Sequence, residues 1–125
     1  MITIQILDHS PRNPFASDAW ATTDRGWIYA VRDDITYDAT TCLGHYLDYG
    51  PCGRPSPSVH AVSCVTREAR YFHTPREANA WLLSQAAGHI AEHVASEALR
   101  RGAYQHEADA IARLPVDESA QANLF

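Results

Sequence analysis

Thr74-Pro75-Arg76-Glu77-Ala78-Asn79-Ala80-Trp81-Leu82-Leu83 is the most informative stretch of the chain. Thr74 suits a helix N-cap, because its hydroxyl oxygen can accept a hydrogen bond from a backbone N–H of the first turn. Pro75 then takes the first helical position, where its missing N–H costs nothing and its fixed φ is already helical. Glu77 stands three residues after the cap and completes a capping box. Helix-forming residues continue to about Arg101, and Leu83, Ala86, Ala87, Ile90 and Val94 recur at three- and four-residue spacing. The reading is one long amphipathic helix, with Gly88 as the place for a bend and Gly102 as the stop. A shorter helix from about Tyr104 to Leu114 follows, ended by Pro115.

Upstream of this helix the period changes from three-to-four to two. Ile2, Ile4 and Ile6 alternate with Thr3 and Gln5, as in a half-buried strand. Residues 8–18 hold two prolines and several turn formers and read as a loop. Trp20–Thr23 and Trp27–Arg32 flank Asp24-Arg25-Gly26 and suggest a hairpin, with Ile35–Cys42 as the next strand. Residues 43–58 carry three glycines and three prolines and read as a long loop, whose Tyr46, Tyr49 and Arg54 are candidate partner contacts. Val59–Val65 and Ala69–His73 read as a second hairpin. Strands first and helices last predict an α+β domain over residues 1–115. Its antiparallel sheet of about four to six strands would pack against the long helix and the shorter one. Residues 116–125 read as a flexible polar tail ending in Gln121-Ala122-Asn123-Leu124-Phe125.

Composition narrows the functions this domain can have. The 125 residues suit one domain, and 46% hydrophobic with 20% charged is ordinary for a soluble protein. Ten basic residues, all arginine, face fifteen acidic ones, for a formal net charge of -5. Such a chain lacks the basic surface of a general nucleic-acid binder. No apolar run approaches the ~20 residues that span a bilayer. The first residues lack the positive start of a secretory signal. The three cysteines, Cys42, Cys52 and Cys64, form no CxxC and fit reduced thiols. A cytoplasmic protein is expected.

Two constellations carry candidate metal chemistry. His89-Ile90-Ala91-Glu92-His93 is an HxxEH string; on a continuous helix its two imidazoles share a side and could hold zinc, with Glu92 as base. It resembles the core of the inverted zincin metallopeptidases, a resemblance that implies a third ligand, and Glu97 on the next turn is in register. Cys42-x2-His45, with Cys52, His60 and Cys64 nearby in sequence, offers a second soft donor set. Nucleophilic catalysis has no motif: GxSxG, phosphate loops and dinucleotide fingerprints are absent from the sequence.

The last five residues resemble the pentapeptide by which bacterial proteins dock on the DNA polymerase sliding clamp. That motif has Gln first, a small or aliphatic second residue, a polar third, then Leu-Phe. Gln121-Ala122-Asn123-Leu124-Phe125 matches it, with Asn where Ser or Asp is more usual. The resemblance implies that Leu124 and Phe125 enter an apolar pocket while the Gln121 amide bonds at its rim. The expectation is a small non-enzymatic interaction protein of bacterial, phage or plasmid origin. It would dock on the clamp, or inhibit a host complex on behalf of a mobile element, with no cofactor. A zinc-dependent hydrolase or metal-binding domain using His89, His93 and Glu97 is the alternative.

Overall fold

The computed structural model describes residues 1–7, 25–33 and 39–123. Its strands are β1 (Ile2–Leu7), β2 (Arg25–Arg32), β3 (Thr40–Asp48), β4 (Val59–Ser63), β5 (Ala69–Phe72) and β6 (Val116–Asn123). Its helices are α1 (Pro75–Ala86), α2 (Ile90–Arg100) and α3 (Gln105–Ala112). Among the described residues the strands make one six-stranded sheet in the order β5-β4-β3-β2-β1-β6. Every neighbouring pair is antiparallel except β1 and β6, which run parallel. The fold is α+β, as the order of periodicities predicts.

Strand alternation selects the covered face. Ile4 lies opposite Ala30, Ile28 opposite Gly44, and Tyr46 opposite Ala61. All these side chains are buried, together with Ala78, Leu82 and Ala86 of α1, which packs across β2 to β5. Burying a leucine such as Leu82 contributes about 1.5–3 kcal/mol. Two glycines permit the close approach. A Cβ on Gly44 would lie 2.6 Å from Leu82 Cδ2, and one on Gly26 would collide with the Tyr46 ring. Helices α2 and α3 pack on each other through Ile90, Val94, Ala95, Ala108 and Ile111, and α2 also reaches β3.

The Thr74 cap forms as expected, while the return bond from Glu77 reaches the residue before the cap. Glu77 N donates to Thr74 Oγ1 at 3.2 Å, and His73 N donates to Glu77 Oε2 at 3.2 Å. The single long helix does not: Ala87, Gly88 and His89 separate α1 from α2. Gly88 adopts φ +79°, outside the helical region, so the bend expected there is a full break. The freed Gly88 N–H donates to Glu118 Oε1 at 3.1 Å.

Three further differences bear on the site. Strand β3 continues to Asp48, so the expected 43–58 loop is shorter. The β2–β3 register shifts at Ile28/Tyr29, leaving Leu43 as an extra residue in β3, and both Leu43 and Gly44 are buried. Tyr46 is therefore a core residue 1% exposed, and not a partner contact, because the register turns it toward Ala61 and the helices. Finally, Val116–Asn123, read from sequence as a tail, is strand β6. Its residues show no apolar alternation; the pairing is made by backbone groups on the edge that β1 presents. Trp20–Thr23 and the first part of Ile35–Cys42, both expected as strand, lie outside the described residues.

Candidate functional site

The loop after β3 is tied down. Asp48 Oδ1 accepts from Gly50 N at 2.8 Å and from Ser58 Oγ at 2.7 Å. The Arg54 guanidinium lies 3.7 Å from the Tyr71 ring centroid, and its Nε donates to Pro57 O at 3.0 Å. His60 bridges Tyr49 and Tyr71, with ring centroids 6.2 and 4.7 Å away. Tyr49 and Arg54 thus join an aromatic cluster on the face away from α1. Gln121 sits in β6 opposite Gln5, while Leu124 and Phe125 lie outside the described residues.

The expected zinc ligands do not converge. His93 Nε2 is 3.1 Å from Cys42 O, so that ring nitrogen is engaged with β3. His89 precedes α2, and its Nδ1 is 3.9 Å from Glu92 Oε2 on the exposed surface. Glu97 Oε1 accepts from Arg100 Nη1 at 2.8 Å. Among the described residues no three His, Cys, Asp or Glu side chains form a group that could hold a metal ion. His89 caps α2 and His93 N donates to His89 O at 3.0 Å, so the first turn keeps the two histidines in register; the set fails at the engagement of His93 with β3 and of Glu97 with Arg100.

The second donor set is likewise split. Cys52 is exposed in the turn Gly50–Cys52, and His45 pairs across the sheet with Val62. Cys42 and Cys64 are brought together, with Sγ atoms 3.5 Å apart. Antiparallel return of β4 along β3 does this, and Cys64 N donates to Leu43 O at 2.9 Å. Both thiols line a cavity of about 470 Å³ between the sheet end and α2. Arg67, His93, Glu97 and Arg101 line it too.

The thiols share a proton unequally. The hydrogen bond to Cys64, and then burial, push the Cys42 thiol far above its ordinary range. The same bond pulls Cys64 down to about 7, against opposing effects of burial and Glu97. Cys64 Sγ donates to Cys42 Sγ, and the Cys42 thiol in turn donates to Gly44 O at 3.5 Å, so Cys64 is the more acidic thiol of the pair. Tyr29 is raised by burial first, then by the charges of Cys42 and Cys64.

Sequence reasoning missed this pair as a thiol pair. Cys42 and Cys64 follow no local spacing, and only the β3–β4 pairing register brings them into contact. That register was hidden because β3 was expected to end at Cys42. Comparison with protein-family models, curated proteins and solved structures found no match to this chain.

Proposed function

We propose that this protein is a non-enzymatic interaction module that docks on the DNA polymerase sliding clamp through Gln121, Leu124 and Phe125. The observation that carries the reading is the pentapeptide Gln121-Ala122-Asn123-Leu124-Phe125. Its first three residues, Gln121, Ala122 and Asn123, form the end of β6, the outermost strand next to β1, and that extended backbone is the form such a peptide takes in a groove. The acidic composition supports a protein partner over direct nucleic-acid contact. Docking there would let the domain recruit, block or mark replication and repair machinery. A bacterial, phage or plasmid origin fits the motif, and inhibition of a host complex is one use of it.

The test is fluorescence-anisotropy or calorimetric titration of the full chain with a purified bacterial sliding clamp. Micromolar binding is expected. Leu124→Ala with Phe125→Ala should weaken it by at least tenfold, since two apolar anchors are lost. A double variant that binds as tightly as the parent would sink the proposal, as would a parent that does not bind.

A further inference from the structure

Cys42 and Cys64 do more than touch. Both are half-buried and open to the same cavity, so a solute in it reaches the sulfur pair. The lining carries Arg67, Arg100 and Arg101 against Glu97. Glu97 is held by Arg100 at 2.8 Å, and Arg101 Nη1 donates to Thr40 O at 3.1 Å. Two further cations therefore stand in the cavity beyond the one Glu97 neutralises, in a chain whose net charge is -5. Arg67 sits at φ 63°, a left-handed conformation that a non-glycine residue seldom adopts. Such residues cluster at functional sites.

We propose that Cys42 and Cys64 form a redox-active dithiol that exchanges with small disulfides bearing carboxylates, which the arginines attract. The Cys64 thiolate attacks one sulfur of R–S–S–R, whose S–S bond breaks. The leaving RS⁻ takes up the proton that Cys64 had released. Cys42 then attacks Cys64 Sγ, losing its own proton. The mixed disulfide breaks and the second RS⁻ leaves as RSH. Two protein thiols are oxidised to one disulfide, and one small disulfide is reduced to two thiols. The sulfurs start 3.5 Å apart and must approach by about 1.5 Å to bond. Rotation about the two Cα–Cβ bonds is the movement required, and the Cys64 N to Leu43 O hydrogen bond keeps the two backbones adjacent. A thiolate available near neutral pH makes the first attack fast at that pH.

The experiment uses the full chain carrying Cys52→Ser, so that only the pair reacts. It is equilibrated with glutathione disulfide under native conditions and its intact mass is measured. The expected product lacks two hydrogens and retains no glutathione. Adding Cys42→Ser should trap one glutathione on Cys64. A protein that keeps both free thiols overturns the proposal, as does stable glutathionylation with Cys42 present. Recognition is read from the rate ratio for glutathione disulfide over uncharged bis(2-hydroxyethyl) disulfide. Arg67→Ala with Arg101→Ala should lower that ratio on the order of tenfold. An unchanged ratio removes the arginines from the proposal.

Discussion

At the scale of single residues, the tightest constraint in the core is Gly44 beneath Leu82. Leu82 is fully buried, and a Cβ on Gly44 would lie 2.6 Å from its Cδ2 and 3.1 Å from Val62 O. Gly44→Ala should cost about 1–3 kcal/mol as an overpacked site. Leu82→Ala should cost about 2–5 kcal/mol through the cavity it leaves. The double variant should cost clearly less than the two together, because the new methyl occupies part of the vacated space. Urea unfolding of the four proteins measures this, and strict additivity would refute the contact. His45 gives a pH signature. Burial first, and His60 second, hold its imidazole below the ordinary value of 6.5. The folded state then binds fewer protons than the unfolded chain in the window between the two values. Stability should therefore fall as pH drops below 6.5 and level off past the folded value. His45→Gln should flatten that stretch of a urea-midpoint profile between pH 5 and 8; a profile unchanged by the substitution would assign the slope elsewhere.

At the scale of elements, what could be read locally was read correctly, and what depends on a partner was not. The Thr74 cap, the Pro75 start and the Pro115 stop are local chemistry: α1 begins at Pro75, and α3 ends at Ala112, three residues before Pro115. The helix break turns on Gly88, where a sequence pattern can only offer a weak point. Its φ of +79° decides the matter, and nothing lies within 4 Å of a Cβ built there. Gly88→Ala should thus cost about 1–2 kcal/mol from backbone conformation alone. Gly88→Asn should cost less, since Asn tolerates that region. If alanine were neutral in thermal or urea unfolding, α1 and α2 would be able to join without loss. The 43–58 loop was misjudged because its glycines and prolines were read as one block, although Gly44 lies within β3 and the prolines begin only at Pro51.

At the scale of the whole molecule, the class of fold was legible because two periods segregate along the chain, strand-like before Phe72 and helical after Thr74. Strand β6 was not, since Asp117, Glu118 and Ser119 carry no apolar signal and their pairing is with a strand at the other end of the sequence. The thiol site shares that cause: its two halves meet only in the finished sheet. Stability should be graded accordingly. Amides of β2 and β3, bonded on both sides within the sheet, should be the slowest to exchange with deuterium, and those of β5 and β6 at its two ends the fastest. Hydrogen exchange followed by mass spectrometry tests the gradient, and β6 protection equal to that of β3 would contradict it.

Strand β6 finally sets two uses of one stretch of backbone against each other. Gln121, Ala122 and Asn123 are paired with Gln5, Ile6 and Leu7, and the proposed clamp peptide begins at that same Gln121. Docking must draw those residues off the sheet, so the apparent dissociation constant is the intrinsic one divided by the fraction of molecules already open. Each ~1.4 kcal/mol of β1–β6 pairing then weakens capture about tenfold. By the same linkage, a bound clamp leaves the edge of β1 bare. The strength of one strand pairing becomes a rheostat on partner affinity, adjustable by substitutions in β1 that never touch the partner.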